Sequence, residues 1–528
     1  MSFKKLSLIA VLACSFNAVE SKTFVYCSEG SPSSFNPQLV TDGPSINASA
    51  ETIYSRLVDF VPGTTKIRPL LAEKYDISKN QLVYTFTLKK NVEFHTTKNF
   101  APTRPLNADD VVFSIMRQWD KTHPYNKIGG GNYEYFDGMG MRDLIKSVKA
   151  LAPDKVEITL SKPNAPFLAN MAMGFMSILS KEYADKLLKE NKAEMLDKDP
   201  VGTGPFVFNS YQKDNSIRYS AHPKYFGKKG NIEKLIFAIT ADPSVRAQKL
   251  KVGECHLISE PTPNDLVELK KNNKISVLEA EGMNTGYLAF NTSKKPFDQL
   301  KVRKAIYHAL AKKSYIENVY LGQAVNAKSP FPQTVWSYNK TIKDYEYDVT
   351  LAKKLMTEAN LANGFDTEIW YLPVTRPYMP NGKKLAELMQ ADLAKINIRA
   401  KITTFDWPTY LKKSKEGAHQ MIQFGWSGDN GDPDNFLNML LSCQAKKEGS
   451  NFAQFCHKEF DDLINKAAAT SDLKTRTKLY EAAQVVFHRE IPWVPIAHGT
   501  SKRAMLNKVK NYTLDPLGRD SFTEVNID

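Results

Sequence analysis

Hydrophobic residues recur along the chain with two different spacings. Over residues 82–88 every second side chain is apolar, which places those side chains on one face of an extended strand. Residues 23–27 also favour a strand. The alternating apolar positions are Leu82, Tyr84, Phe86 and Leu88, then Val156, Ile158 and Leu160, then Leu235, Phe237 and Ile239.

Helical spacing appears between these strands. Asn107 precedes an apolar segment with Asp109 and Asp110 in its first turn, which predicts an N-capped helix. Apolar stripes at residues 302–310 and 385–396 predict two more helices, and we interpret both stripes as core. Mixed helices and strands without repeats or low-complexity linkers predict α/β lobes between which the chain crosses.

Length and charge narrow the function classes. The chain has 528 residues, which corresponds to about three domains. Its formal charge is +14, from 71 Lys and Arg against 57 Asp and Glu. The basic residues are scattered singly or in pairs, without a basic run interleaved with aromatics, so we expect a solvated cationic surface and no nucleic-acid partner.

The N-terminus predicts export. Lys4 and Lys5 precede a short apolar run at residues 6–16, and small or polar residues follow to Ser21, so residues 1–21 are interpreted as a signal peptide. No other segment approaches 18 uninterrupted apolar residues, so we expect a soluble, periplasmic mature protein. The alternative is a lipobox at residues 11–14, which would make Cys14 a lipid anchor.

The remaining four cysteines favour two disulfides in an oxidising compartment. Cys443 and Cys456 lie close enough in sequence to close a local loop, which leaves Cys27 to pair with Cys255. A zinc site is the alternative, but the chain has no C-x-x-C motif and no partner pair at zinc spacing for Cys456 and His457.

Enzyme signatures are missing from the sequence. The chain has no G-x-S-x-G, H-E-x-x-H, phosphate-binding loop or G-x-G-x-x-G motif, and its nine histidines do not cluster. Asp429, Asp432 and Asp434 do not have calcium-loop spacing. We therefore expect no catalytic residues, no metal and no cofactor.

Two glycine- or proline-rich segments are candidates for binding. Residues 373–378 hold Arg376 beside Tyr378 in a proline-stiffened loop, and residues 425–434 place Asp429 in a glycine-rich turn, with Trp407 between the two segments. Taken alone, each residue also fits a role without ligand binding, in which the arginine is a solvated charge and the aspartate caps a backbone turn.

Five stretches together give the chain a specific resemblance over almost its whole length after residue 21. They are residues 26–32, 84–88, 106–114, 202–206 and 428–435. With them the sequence resembles the peptide/nickel class of extracellular solute-binding proteins.

The resemblance implies the bilobal periplasmic-binding-protein fold of the large three-domain type, an α/β fold that buries its ligand by hinge closure. Domain I would comprise residues 22–54, 183–283 and 500–528. Domain II would span residues 55–182, and domain III residues 284–499.

The resemblance also implies a site for a short peptide, most simply a dipeptide. Such a ligand is a zwitterion, and enclosing its two charges costs several kcal/mol per ion unless each is paired. The class's peptide receptors bind the ammonium with an aspartate and the carboxylate with an arginine, which match Asp429 and Arg376. Other cleft positions that match are Thr41, Gly43, Tyr378 and Trp407, and the two cysteine pairs match as well.

We therefore expect a monomeric, non-catalytic receptor that delivers its ligand to an inner-membrane ABC permease. Haem- or glutathione-binding receptors of the same fold are the nearest alternatives, because residues 32–36, 41–43 and Cys14 resemble that branch. An exported peptidase or chaperone is the alternative of another class.

Overall fold

The computed structural model describes residues 22–448 and 451–528. The predicted signal peptide at residues 1–21, with the lipobox cysteine Cys14, lies outside the described residues. The strands of the described part are β1 (Thr23–Ser28), β2 (Val58–Phe60), β3 (Ile67–Pro69), β4 (Ala72–Ile77), β5 (Val83–Leu88), β6 (Ile145–Ala152), β7 (Lys155–Leu160), β8 (Phe206–Gln212), β9 (Ser216–Ala221), β10 (Lys234–Ile239), β11 (Leu257–Ser259), β12 (Ile275–Glu281), β13 (Asn284–Phe290), β14 (Ala324–Asn326), β15 (Asp366–Trp370), β16 (Arg399–Thr403), β17 (Met421–Ser427), β18 (Trp493–Leu506), β19 (Val509–Lys510) and β20 (Asn526–Ile527).

Helices connect most of these strands. They are α1 (Gly43–Ala48), α2 (Ala108–Trp119), α3 (Glu134–Gly138), α4 (Met141–Leu144), α5 (Phe167–Met171), α6 (Lys181–Lys189), α7 (Met195–Lys198), α8 (Pro243–Lys251), α9 (Pro263–Lys271), α10 (Leu300–Ala309), α11 (Lys312–Asn318), α12 (Val349–Glu358), α13 (Gly382–Ala394), α14 (Trp407–Lys415), α15 (Asp434–Leu441), α16 (Cys443–Glu448), α17 (Lys458–Ala468) and α18 (Leu473–Glu490).

The local signals in the sequence form the predicted elements. Helix α2 begins with a capping box, in which Asn107 Oδ1 accepts from the Asp109 amide at 3.0 Å and Asp110 Oδ2 accepts from the Asn107 amide at 3.0 Å. In strand β5 the alternating residues Tyr84, Phe86 and Leu88 are buried. Both predicted helical stripes, in α10 and α13, are confirmed as core.

One long strand joins the two halves of the largest sheet. The main path of that sheet runs β16-β15-β17-β13-β18-β11-β1-β10-β9-β8, and β12 and β14 also pair with β18. Residues of β18 up to Gly499 pair with β13 and β14, whereas residues from Thr500 onward pair with β12 and β11. The change of partners gives the chain two lobes with one shared strand, the bilobal α/β architecture that the resemblance implied.

A separate four-stranded sheet, in the order β4-β5-β7-β6, lies within residues 72–160. Helix α2 packs against this sheet through β6 and β7. The detailed domain limits set out above remain a prediction, although the change of partners in β18 coincides with the limit expected between residues 499 and 500.

The four cysteines of the described part form two disulfides. Cys27 in β1 bonds Cys255, with a Cα–Cα distance of 5.8 Å across 228 residues of sequence. Cys443 bonds Cys456, with a Cα–Cα distance of 4.5 Å across 13 residues. No described helix is both long and apolar enough to cross a membrane.

The two disulfides should differ in how strongly they stabilise the fold. Replacing Cys443 and Cys456 by alanine should lower the free energy of unfolding by about 3 kcal/mol. The same replacement of Cys27 and Cys255 should lower it by roughly 5 kcal/mol, because this pair restrains a longer loop of the unfolded chain. Urea denaturation of the oxidised proteins measures both values. A larger loss for the shorter loop would contradict this expectation.

Candidate ligand-binding site

Three glycines on neighbouring strands leave the centre of the large sheet without side chains on one face. Gly286 in β13 pairs directly with Gly425 in β17, and Gly499 lies on the adjacent strand β18. A Cβ atom at Gly286 would lie 2.2 Å from the Tyr378 carbonyl oxygen, and one at Gly499 would lie 2.1 Å from the Pro377 carbonyl oxygen. The loop that carries Arg376 can therefore rest directly on the sheet only because these positions are glycine.

A tight turn fixes the loop on this glycine floor, defined as Gly286, Gly425 and Gly499. The Arg376 amide donates to the Met379 carbonyl at 3.1 Å, and the Met379 amide donates back at 2.9 Å. The Tyr320 hydroxyl donates to the Tyr378 carbonyl at 2.8 Å. The side chain of Arg376 thus projects from a backbone that is held at both ends of the turn.

The Arg376 guanidinium has no acidic partner. It is half-buried, donates to the Thr375 carbonyl at 3.0 Å, and lies 5.8 Å from the centre of the Trp407 ring. No carboxylate of the described residues lies within salt-bridge distance of it. A half-buried guanidinium beside an aromatic ring is suited to bind a carboxylate in a bidentate manner.

Trp407 belongs to an aromatic wall beside this guanidinium. Its ring stacks on Tyr410 at 6.0 Å with an interplanar angle of 21°, and it lies 6.1 Å from Phe424. Tyr378 is also buried, and burial raises the pKa of its phenol while the nearby Arg376 charge opposes that rise. The wall limits the access of water to the arginine.

The loop around Asp429 is braced from several sides. The Asp429 amide donates to Asn435 Oδ1 at 3.0 Å, and the Trp426 indole donates to the same oxygen at 2.9 Å. Asp432 forms a buried ion pair with Arg476 at 2.8 Å. These contacts hold the backbone of Asp429 independently of its side chain.

The turn also requires a glycine at position 431. Gly431 has a φ of +72°, and a Cβ atom there would lie 2.4 Å from the Thr65 side chain. Residue 65 belongs to the predicted domain II. The Asp429 loop therefore lies directly against the segment that contains Thr65.

The Asp429 carboxylate is only half satisfied. Its Oδ1 atom accepts from the Tyr135 hydroxyl at 2.9 Å, whereas Oδ2 is buried and has no hydrogen-bond partner among the described residues. Burial raises the pKa of Asp429 to about 7, against the lowering effects of Tyr135, Asn435 and the Arg519 charge. An oxygen of this kind requires a cation or a proton.

The segment with Thr41 and Gly43 lies near Tyr135. Asp42 caps helix α1 by accepting from the Ser45 amide at 3.0 Å, and its charge helps to raise the pKa of Tyr135. A Cβ atom at Gly43 would meet no atom within 4 Å, so Gly43 borders open space. The structure gives no direct contact between Thr41 or Gly43 and the two predicted charge-binding residues, and their role remains a prediction.

Sequence reasoning missed Tyr135 and the glycine floor. Tyr135 lies 294 residues from Asp429 and carries no motif, so only the fold brings the two together. Gly425 belongs to the glycine-rich segment at residues 425–434, but only strand pairing relates it to Gly286 and Gly499. Among the described residues, no group of three His, Cys, Asp or Glu side chains could hold a metal ion.

Comparisons with known proteins identify similar proteins that align over nearly the whole chain. The chain is 49% identical to the dipeptide-binding protein of Escherichia coli (strain K12), over 99% of this chain and 97% of that protein. It is 47% identical to heme-binding protein A of Haemophilus influenzae, over 96% of this chain and 93% of that protein. The solved dipeptide-binding protein from Pseudoalteromonas sp. SM9913 in complex with Met-Leu matches with a TM-score of 0.89 and 40% identity, over 96% of this chain and 100% of that chain.

A family model also matches most of the chain. Residues 66–448 match the model of bacterial extracellular solute-binding proteins, family 5, middle region. This stretch contains Tyr135, the Arg376 turn and the Asp429 loop. The chain belongs to family 5 of the bacterial extracellular solute-binding proteins.

Proposed function

We propose that this protein is the periplasmic receptor of an ABC importer and captures dipeptides by pairing both of their charged ends. The observation that carries the proposal is the buried Asp429 Oδ2 atom without a partner, in a site where Arg376 also lacks a counterion. The peptide ammonium would bind Asp429, and the peptide carboxylate would bind Arg376.

A zwitterion meets the electrostatic need of both residues at once. Enclosing an isolated carboxylate or guanidinium costs several kcal/mol per ion, and an opposite charge with good hydrogen-bond geometry offsets this cost. The backbones of Arg376 and Asp429 are each fixed by their own hydrogen bonds. The separation of the two charges would then select ligand length, while the aromatic wall around Trp407 excludes water.

The family and the named relatives support the place of this receptor in transport. Family 5 proteins are extracellular solute-binding proteins, and the dipeptide-binding relatives align over nearly the whole chain. The inner-membrane ABC permease is the partner that such a receptor serves. We further propose that export uses the signal at residues 1–21 and that the protein releases its peptide unchanged, without catalysis.

Haem remains a second candidate because heme-binding protein A matches over 96% of the chain. Haem has carboxylates that Arg376 could bind, but it has no ammonium for Asp429. Glutathione has an α-ammonium and two carboxylates. The buried Asp429 therefore favours an amino-acid-derived ligand over haem.

Removing either charge should abolish tight binding of a dipeptide. Asp429→Asn and Arg376→Met should each weaken the binding of Ala-Ala by about 2–3 kcal/mol or more, because the opposite charge of the ligand is left buried and unpaired. Isothermal titration calorimetry measures the loss. Asp366→Asn and Arg399→Met are matched controls, because that pair is exposed on the edge strand β16 and its neighbour β15.

Wild-type affinity in either site variant would contradict the site assignment. Parallel titrations with glutathione and haem test the ligand class. Binding of glutathione or haem at least tenfold tighter than Ala-Ala would overturn the dipeptide assignment, and mass spectrometry of the peptide after long incubation would detect any hydrolysis.

The glycine floor should be required for binding. A Cβ atom at Gly425 would lie 2.3 Å from the Tyr378 ring, so Gly425→Ala should displace the Arg376 turn and weaken Ala-Ala binding by roughly 1–3 kcal/mol. Gly30→Ala is the control, because a Cβ atom there meets only the Pro44 ring at 3.8 Å. Unchanged affinity in Gly425→Ala would show that the floor does not position Arg376.

The ligand-free protein should close more readily as the pH falls. Asp429 has a pKa of about 7 when it is buried between the lobes, and solvent in an open cleft would restore a value of about 4. The closed form then binds more protons between these values, so its population relative to the open form should rise about tenfold from pH 8 to pH 6.

Small-angle X-ray scattering of the ligand-free protein measures this change as a smaller radius of gyration at pH 6. Asp429→Asn should remove the pH dependence. Asp434, in the same loop, also has a pKa raised to about 7 by burial and by the nearby Asp432 charge. Asp434→Asn should leave the dependence in place, and the reverse pattern would assign the effect to Asp434.

A further inference from the structure

We propose that Tyr135 is a positioning residue of the ammonium site, and that its hydroxyl couples ligand capture by Asp429 to closure of the two lobes. This inference rests on the proposed function. It adds a residue from the predicted domain II to a site whose two charged groups both lie in the predicted domain III.

The contact joins segments that are far apart in sequence. Tyr135 lies in α3, where it is buried and stacks on Phe175 at 5.7 Å with an interplanar angle of 27°. Its hydroxyl donates to Asp429 Oδ1 at 2.9 Å, across 294 residues of sequence. The ring is therefore held by its own lobe, while the hydroxyl reaches the ligand-binding carboxylate of the other lobe.

Other hydrogen bonds also join the predicted domains II and III. Asn430 Nδ2 donates to Asn170 Oδ1 at 2.7 Å, and the Ala165 amide donates to the Ala468 carbonyl at 2.7 Å. Neither contact involves the Asp429 carboxylate. Tyr135 differs from them because it binds the group that the ligand ammonium would bind.

The hydrogen bond from Tyr135 gives the two carboxylate oxygens of Asp429 different roles. A phenol donates one proton, so Tyr135 occupies Oδ1 and leaves Oδ2, which has no hydrogen-bond partner among the described residues, as the acceptor for the ligand. The bond favours the ionised acid, which is the form that an ammonium requires. Closure around a ligand with a free ammonium satisfies both oxygens, whereas closure around an N-acylated peptide leaves Oδ2 unpaired.

Few polar or charged groups surround the hydrogen bond between Tyr135 and Asp429. Asp429 is faced by Tyr135 from α3, by Asn435 from α15 and by the Arg519 charge from the C-terminal segment. Tyr135 is in turn within range of Glu134 and Asp42. Since Arg519 already has carboxylate partners in Asp515, Glu51 and Asp59, it does not neutralise Asp429 directly.

The test is Tyr135→Phe, which removes only the hydroxyl. Binding of Ala-Ala measured by calorimetry at pH 7.5 should weaken about tenfold, the loss expected for a hydrogen bond to a charged group. In addition, the pH above which the closed-to-open ratio of the ligand-free protein stops changing, followed by small-angle scattering, should move to higher pH, because loss of the donor raises the pKa of Asp429 in the closed form. Discrimination against N-acetyl-Ala-Ala should become smaller.

Asn170→Ala is the matched control, because it removes a cross-lobe hydrogen bond of the same loop without touching Asp429. It should weaken binding and lower the closed-to-open ratio at every pH, without moving the pH above which that ratio stops changing. Thermal unfolding of both variants checks that they are folded, and Tyr219→Phe, which removes a buried hydroxyl donor to the Ala48 carbonyl elsewhere in the fold, serves as the control if stability falls.

The proposal is overturned if Tyr135→Phe binds Ala-Ala like the wild type, or if it weakens binding but, like Asn170→Ala, does not move the pH above which the closed-to-open ratio stops changing. These outcomes are separable from failure of the proposed function. If Asp429→Asn still binds Ala-Ala with wild-type affinity, the ammonium site itself is wrong; if only the Tyr135 results fail, the site stands without this coupling.

Discussion

The structure depends on one unfavourable interaction, the burial of the Asp429 carboxylate with a single hydrogen-bond donor. Burial without a counterion raises the pKa of Asp429 to about 7, so the ionised form is destabilised there. The surrounding loop nevertheless keeps Asp429 in place through Asn435 and through the buried ion pair of Asp432 with Arg476. The fold thus stabilises the backbone of this loop, and in the function proposed above the ligand supplies the counterion of its side chain.

The position of Arg376, at the proposed carboxylate end of the site, follows from a steric constraint. Strand β18 is shared by both halves of the large sheet, and the Arg376 turn lies on that sheet where β17, β13 and β18 run side by side. Side chains at Gly286, Gly425 or Gly499 would occupy the space of the turn. The arginine is therefore presented at the crossing between the lobes, and a ligand that binds both it and Asp429 would contact the region through which closure takes place.

Local features could be predicted from the sequence because neighbouring residues determine them. The capping box at Asn107, the alternation in β5 and the stripe in α13 depend on contacts within a few residues, and all form as expected. The partnership of Tyr135 with Asp429 could not be predicted, because it depends on packing across 294 residues and on no periodic pattern. The same holds for the glycine floor, since strand register relates its members. The loop composition made Arg376 and Asp429 weak candidates, the family resemblance implied their roles, and those roles remain predictions.

Membership in family 5 leaves the ligand open, because relatives of nearly equal similarity include a dipeptide-binding protein and a heme-binding protein. The chemistry of the site must therefore decide between them. A carboxylate with one oxygen held by Tyr135 and one oxygen buried without a donor can be neutralised by an ammonium but not by a porphyrin or its propionates. A dipeptide always carries that ammonium and a carboxylate, whatever its side chains. Recognition through Asp429 and Arg376 would therefore make the receptor selective for the free termini of its ligand and tolerant of different side chains.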